Sequence, residues 1–497
     1  MYRYKDIIRN YFEKHSIVES NLNSFNSFMD KGMQKIIDEI QDIIPTIIPS
    51  EVTEFKIKLG KIEIEKPQIT ESDGSKRKIF PTEARLRNLT YSAPVYLSVS
   101  AVIDGVERES FKALIGKIPV MVKSKYCNLY GLNEENLVKH YEDPNDPGGY
   151  FILNGNERVL IIVEDLASNK FFVEKTKVGP SQFVGKVYSE KGSYRIPHVI
   201  EQMKTGTIYL TFTRFTRVPI IAVIKALGLT RDEDLARFVS EENQYDDIFI
   251  NLYEILEIKT QDDAIEYLAK KAGMAQQDDR KKKIFEIFDK YLLPHLGSTK
   301  ETRILKAYNL CKYTKKFLMV AKDNLSLEDK DHYMNKRLKL SGNLLEDLFR
   351  VNMASLIQDM LYNFQRLVKR GKFQSIKIII RDQLLTSRIK SAMATGAWIG
   401  GRKGVSQNMD RTNYLATLSH LQRVVSLLSS TQENFEARAL HPTHWGRLCP
   451  IETPEGTPIG LRKNLAMLTK ISEEEMADDK IKKQLETCGL KGINQNG

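Results

Sequence analysis

One segment constrains the fold more than any other. Leu344, Leu345, Leu348, Phe349, Met353, Leu356, Ile357, Met360, Leu361, Phe364, Leu367 and Val368 recur at i, i+3, i+4 and i+7 over nearly four heptads. A stripe that long must be buried against a second layer, so it reads as core, not as a ligand face. Asn343 followed by Glu346 predicts a capping box at its start, and Gly371 behind Lys369 and Arg370 predicts its end. The opposing layer is legible upstream. Apolar residues alternate in Phe55, Ile57 and Leu59 and again in Ile62 and Ile64, which predicts a hairpin turning at Gly60-Lys61. Val95, Leu97, Val99, Ala101 and Ile103 alternate likewise up to the turn pair Asp104-Gly105. The cluster PNDPGG at 144–149 introduces an apolar run from Tyr150 to Val163, broken at Asn154-Gly155.

From about residue 166 the texture changes. Lys186 to Phe215 reads as short strands, whereas Ile220 to Leu227, Asp262 to Ala272, Arg280 to Leu292 and Arg303 to Ala321 carry helical spacing. The chain is therefore expected to be an α+β multidomain protein, and 497 residues at ~150 per domain agree with about three domains.

The net charge of +11 is local. Between Arg366 and Lys403, ten basic residues stand against the single acid Asp382, so this window of 38 residues holds +9 of the total. Such one-sided charge suits a polyanion better than a solvated face. Cys127, Cys311, Cys449 and Cys488 are too far apart for a C-x-x-C pair and read as packing residues. No stretch approaches ~18 consecutive apolar residues, and the N-terminus MYRYKDIIRNYFEK lacks an apolar signal region, which sets a cytoplasmic location without membrane contact as the expectation. The phosphate loop G-x-x-x-x-G-K-[ST], H-E-x-x-H and G-x-S-x-G are all missing, so ATPase, zincin and hydrolase readings lack support.

Two short constellations remain. Gly400-Gly401-Arg402-Lys403-Gly404 reads either as a phosphate cradle or as an unliganded basic turn. In His441 to Asn464, prolines 442, 450, 454 and 458 with glycines 446, 456 and 460 exclude helix. His441, His444, Cys449, Glu452 and Glu455 there admit a zinc reading, with a structural loop beside a functional surface as the favoured one. His140, His198 and His295 stand alone in the sequence and are assigned core or surface roles.

At these residues the chain resembles a family. GRKGVSQNMDRTNYLATLSHLQR at 401–423 and HPTHWGRLCPIETPEGTPIGLRKNLA at 441–466 are similar to the fork region of the second-largest, β-type subunit of multisubunit DNA-directed RNA polymerases. PTEARLRNLTYS at 81–92, GGYFILNGNERVLI at 148–161 and KDHYMNKRLKLSG at 330–342 agree in the same order. The chain's length resembles the archaeal arrangement in which that subunit is split, this being the N-terminal polypeptide. The resemblance implies a protrusion at 1–165 and 341–395, a lobe at 166–340, a fork at 396–470 and a tail at 471–497 leading to the partner half.

It further implies no catalytic residue and no metal ligand in this chain, with Mg2+ held by the largest subunit. The implied partners are the C-terminal half of the split subunit (the B' polypeptide), the A' and A'' polypeptides of the largest subunit, the smaller polymerase subunits, general transcription factors, the DNA template and the RNA–DNA hybrid. Carried over by position, Arg381, Arg388, Lys390, Arg402, Lys403, Gln407, Arg411 and Arg423 become nucleic-acid-binding candidates. Asp410, His420, His444, Glu452 and Glu455 become candidates for the wall of the active site. Val425 and Asn408 depart from the Ser and Phe of bacterial relatives, which argues against rifampicin sensitivity. The competing reading is a freestanding nucleic-acid-binding regulatory protein with a polymerase-like module.

Overall fold

The computed structural model describes residues 4–49, 52–176, 179, 181–192, 194–240, 246–274, 279–322, 324–372, 375–431, 434–472 and 478–489. The chain divides into two compact units, one made of 1–164 with 338–497 and the other of 165–337.

The first unit begins with helices α1 (Tyr4–Lys14), α2 (Glu19–Ser27) and α3 (Met33–Asp38), the last two joined through a π-helical turn, Phe28–Gly32. Strand β1 (Phe55–Ile64) follows, then the small pair β2 (Gln68–Thr70) and β3 (Lys76–Lys78), helix α4 (Pro81–Leu86), and the long hairpin of β4 (Ser92–Ile103) and β5 (Val106–Pro119). The order β1-β4-β5 corrects the hairpin expected at Gly60-Lys61. β1 runs straight through those residues, and its register against β4 slips between Leu59↔Val99 and Ile62↔Leu97. One extra residue on β1 is a β-bulge, which preserves the apolar alternation on both sides without reversing the chain. The turn at Asp104-Gly105 does close β4 onto β5, Ile103 opposite Val106.

After α5 (Glu134–Lys139), strands β6 (Phe151–Leu153) and β7 (Asn156–Leu160) form a tight hairpin, and β8 (Ile162–Leu166) continues from it. Both hairpin turn residues are left-handed, Asn154 at φ 49° and Gly155 at φ 79°. A Cβ on Gly155 would lie 2.5 Å from Oδ1 of Asn88, so glycine is required there by space as well as by φ.

The second unit has a five-stranded antiparallel sheet, β13-β12-β11-β10-β9, made from β9 (Phe171–Lys175), β10 (Phe183–Lys191), β11 (Tyr194–Gln202), β12 (Ile208–Phe212) and β13 (Phe215–Pro219). Its helices are α6 (Ile220–Ala226), α7 (Asp232–Val239), α8 (Asp247–Tyr253), α9 (Gln261–Lys271), α10 (Arg280–Tyr291) and α11 (Thr302–Ala321). They share one apolar core with the sheet. His198 on β11 is buried in it, with Nε2 accepting the Leu293 N–H at 3.1 Å and Nδ1 donating to the Ile196 carbonyl at 3.1 Å. Burial pushes its pKa down to about 4. His295 is not isolated in space either, since its Nδ1 lies 2.7 Å from the Ser189 hydroxyl.

A short strand, β14 (Lys336–Lys339), precedes the helix that dominates the return segment, α12 (Ser341–Lys369). Its apolar stripe is core as expected, with Phe364 4.7 Å from Phe55 of β1 and Phe349 6.1 Å from Phe28, ring centroid to centroid. Its start differs from the capping box expected at Asn343. The helix begins three residues earlier, with Leu340 at the cap position, so Asn343 sits inside the first turn and its Oδ1 accepts the Leu340 N–H at 3.2 Å. The free N–H groups of Ser341 and Gly342 donate to Asn21 Oδ1 at 3.1 Å and to Ser24 Oγ at 3.2 Å, both on α2. The cap is tertiary, which a local motif cannot reveal.

The remaining elements are α13 (Asp382–Thr395), β15 (Ser406–Asn408), α14 (Tyr414–Leu421), β16 (Arg423–Ser426), α15 (Phe435–Arg438), β17 (Arg462–Asn464) and α16 (Asp478–Thr487). Of the expected tail, 473–477 and 490–497 lie outside the described residues. Cys127 and Cys311 are buried as expected, whereas Cys488 is exposed and is no packing residue.

Candidate nucleic-acid interface

α13 turns Leu385, Ile389 and Met393 inward, which leaves Arg388 exposed and Lys390 half-buried. The helix seats against β5 where Gly116 removes a side chain, and its Thr386 Oγ1 accepts the Lys117 N–H at 2.9 Å. Neither Arg388 nor Lys390 has an ion-pair partner among the described residues. Arg381, by contrast, donates to Asn363 Oδ1 at 3.0 Å and lies 3.6 Å from Asp359.

α13 ends at Gly396, in the left-handed conformation, and opens a closed loop. The loop's ends are tied by Val405 N–H to the Gly396 carbonyl at 3.2 Å and by Trp398 N–H to the Arg402 carbonyl at 2.8 Å. The Trp398 indole is buried and donates to the Leu344 carbonyl at 2.9 Å, anchoring the loop to α12. Gly400 and Gly401, both left-handed, form an open tip with exposed Lys403 beside them; Arg402 is half-buried.

Beyond the loop, β15 pairs with β7, Gln407 opposite Val159. A single hydrogen-bonded line then crosses to α14. The Asp410 N–H donates to His420 Nδ1 at 3.1 Å, His420 Nε2 meets Gln407 Oε1 at 3.2 Å, and Gln407 Nε2 donates to the Gly404 carbonyl at 3.0 Å. Because Nδ1 accepts a backbone N–H, the proton must sit on Nε2. Burial, then the positive charge of Arg423, pushes the His420 pKa down to about 4, so the ring is neutral near pH 7. Thr412 donates twice to Asp410 Oδ1, from N at 3.0 Å and Oγ1 at 2.7 Å, and holds that carboxyl below its ordinary range. Asn413 caps α14 by accepting the Ala416 N–H at 2.8 Å.

Arg423 opens β16, which lies parallel to β8 and antiparallel to β17. Burial and the nearby Arg462 lower its pKa, with Asp410 and Glu452 opposing that effect. Its guanidinium forms no ion pair among the described residues. Glu452 accepts from the Ser419 hydroxyl at 2.5 Å, which ties the proline-rich segment to α14. Gln407, Asp410, His420, Arg423 and Glu452 are thus one constellation.

Three expected residues belong elsewhere. Arg411 spends its guanidinium inside the chain, on Glu157 Oε2 at 2.7 Å, Glu157 Oε1 at 3.1 Å and Asp146 Oδ2 at 3.0 Å, over the Tyr150 ring at 5.0 Å. Arg85 completes that network from the other side, reaching Glu157 Oε1 at 2.8 Å, Glu142 Oε2 at 3.1 Å and the Tyr150 hydroxyl at 2.6 Å. The arginine expected to hold nucleic acid instead ties 411 to the β6–β7 hairpin. The only hint in sequence was that Arg85, Tyr150 and Glu157 all fall in the two upstream blocks. His444 is buried in the 3-10 turn Pro442–His444, its N–H on the His441 carbonyl at 2.9 Å, and Glu455 is exposed. Among the described residues no three His, Cys, Asp or Glu side chains gather as a metal site requires, so His441, His444 and Cys449 do not form the zinc cluster that their spacing admits. Sequence reading also missed Lys463, whose buried ammonium lies 3.2 Å from Glu164.

Comparison with known proteins fits this geometry. Residues 16–387 match the family model described as RNA polymerase beta subunit, and 407–471 match RNA polymerase Rpb2, domain 3. The chain belongs to the RNA polymerase beta subunit family. It is 43% identical to DNA-directed RNA polymerase subunit Rpo2N of Methanocaldococcus jannaschii, over 98% of this chain and 99% of that one. It is 39% identical to Rpo2N of Halobacterium salinarum, over 98% and 96%. With Rpo2 of Saccharolobus solfataricus it shares 42% identity over 94% of this chain but only 41% of the relative. The function is that of a DNA-directed RNA polymerase subunit, a component of a nucleotidyltransferase. No helix among the described residues is long and apolar enough to cross a membrane.

Proposed function

We propose that this polymerase subunit is the N-terminal polypeptide of a split β-type subunit, and that it forms one wall of the cleft holding DNA and the RNA–DNA hybrid. The 41% coverage of the unsplit Rpo2 beside 99% coverage of Rpo2N supports the split. The chain crossings at 164/165 and 337/338 suit a protrusion in two segments, an inserted lobe and a fork. The B' polypeptide, the A' and A'' polypeptides, the smaller subunits and general transcription factors complete the assembly in the cytoplasm, and Mg2+ chemistry resides on the largest subunit.

The observation that carries the nucleic-acid reading is the pairing of unpartnered cations with a rigid support. Arg388, Lys390, Lys403 and Arg423 lack ion pairs among the described residues, and the loop and α14 next to Lys403 and Arg423 are held by the hydrogen-bonded line Gly404–Gln407–His420–Asp410. A processive enzyme needs contacts that ignore sequence, and phosphates reached by Lys and Arg supply them. Arg402 and Lys403 are assigned to phosphates near strand separation, Arg388 and Lys390 to the backbone of the RNA–DNA hybrid, Arg423 with Gln407 to the nascent RNA, and Arg411 to internal structure. The test is a photo-crosslinker carried at position 390 or 403 in assembled elongation complexes. Crosslinks to template, non-template strand or RNA support the assignment; crosslinks to protein alone overturn it.

A further inference from the structure

Helix α1 is amphipathic, and none of its residues is buried. Tyr4, Ile7, Ile8, Tyr11 and Phe12 recur at i, i+3, i+4, i+7 and i+8, the pattern of a helix that rests on a core. Yet Ile7 and Ile8 are each 57% exposed and Tyr4 is 81% exposed. Tyr11 and Phe12 are half-covered, so the outer part of the stripe, Tyr4, Ile7 and Ile8, is what lacks a neighbour among the described residues.

Its surroundings indicate which. The end of α1 and the start of α2 meet the final stretch of the fork: Lys470 Nζ sits 5.9 Å from the centre of the Tyr11 ring on α1 and 3.1 Å from His15 Nδ1 just after it, and the Ile471 N–H donates to Ser20 Oγ on α2 at 3.2 Å. Thr469 Oγ1 donates to the carbonyls of Gly446 at 3.1 Å and Arg447 at 3.0 Å. This line carries a second exposed apolar group, Trp445 at 83%, Met467 at 65% and Leu468 at 63%. In the unsplit Rpo2 the matched region is 41% of the polypeptide, so a larger part of that chain lies outside it. The family match to the fork ends at residue 471, next to Lys470 over Tyr11 of α1 and bonded to Ser20 of α2.

Resting on the split-subunit reading, we propose that α1 and the segment 467–471 form one composite seat for the polypeptide that corresponds to the remainder of unsplit Rpo2. The N-terminal helix is then an assembly element and not part of this chain's own core. Its polar face carries Lys5, Arg9 and Lys14 against Asp6 and Glu13, too balanced a charge to favour an anionic lipid surface over a protein one.

The test is co-expression of the full chain with that polypeptide from the same cell, comparing wild type with Ile7→Glu/Ile8→Lys, which keeps net charge and uses good helix formers. A second variant, Leu468→Glu, probes the other half of the seat. Wild type is expected to co-purify at equal stoichiometry, and each variant to lose at least tenfold in pairing affinity while its own thermal midpoint stays unchanged. Pairing of both variants at wild-type affinity overturns the seat and leaves the split-subunit reading intact. Failure of wild type to pair overturns that reading itself. A wild-type homodimer that Ile7→Glu/Ile8→Lys converts to monomer overturns the proposal by giving the face to a second copy.

Discussion

Gly342→Ala puts the packing of the first unit to a direct test. Gly342 lies in the first turn of α12 and abuts α2 so closely that a Cβ would overlap the Ser24 carbonyl, with Ser24 Oγ only 2.6 Å away. Forcing the helices apart costs about 1–3 kcal/mol by overpacking. Separation also breaks the Gly342 N–H bond to Ser24 Oγ and strands a buried donor, a further 1–3 kcal/mol or so. Alanine's better helix propensity returns about 1 kcal/mol. The net loss is then on the order of 1–5 kcal/mol, which for a unit of more than 300 residues, at roughly 1.5 °C per kcal/mol, lowers the thermal midpoint by about 2–7 °C. The assay is thermal unfolding of the purified chain followed by far-UV circular dichroism. Gly400→Ala serves as control: its Cβ meets nothing within 4 Å, so only the left-handed φ of 74° opposes it and the shift is smaller. A Gly342→Ala midpoint unchanged from wild type would refute the tertiary cap and the contact it depends on.

Further outcomes follow from the same geometry. Removing Arg388 and Lys390 together should lower the salt concentration at which elongation complexes dissociate by a similar factor on every template; a loss confined to particular sequences contradicts the phosphate role. The second unit should weaken on acidification. The folded pKa of His198 is about 4 against an ordinary 6.5, so the unfolded state binds more protons between those values and stability present above pH 6.5 is lost as pH falls toward 4. The His198 shift alone makes that loss about 3 kcal/mol by pH 4, with His295 and Lys306 adding like charge nearby. Denaturant midpoints at neutral and at acidic pH measure it, and equal values would contradict the buried neutral ring. Glu157→Gln should destabilise the first unit by about 1–3 kcal/mol, since it removes the charge shared by Arg85 and Arg411, which keep Glu142 and Asp146 as partners; a melt unchanged from wild type would show that network to be dispensable.

The parts of the fold visible in sequence were those with a local cause. The stripe of α12 and the alternation of β4 follow from period alone, and the Asp104-Gly105 and Asn154-Gly155 turns from residues that tolerate positive φ. What escaped depends on a distant partner. Gly60 looks like a turn residue in sequence, but β4 alongside it makes it a bulge. Asn343 looks like a cap, but Asn21 and Ser24 do the capping. The site divides in the same way. Its positions were legible through blocks of residues, while the division of labour within it was not, because only the fold reveals that Glu157 and Asp146 occupy Arg411, whereas Arg423 forms no ion pair among the described residues.

The central claim is that this chain works only as one piece of a polymerase. Its most direct test is capture of the chain from native extract, mass spectrometry of what comes with it, and a promoter-independent RNA synthesis assay on the recovered material and on the chain alone. Stoichiometric recovery of the C-terminal half and the largest-subunit polypeptides, with activity in that assembly and none in the isolated chain, is the predicted result. A lone monomer that binds DNA without polymerase partners would contradict it.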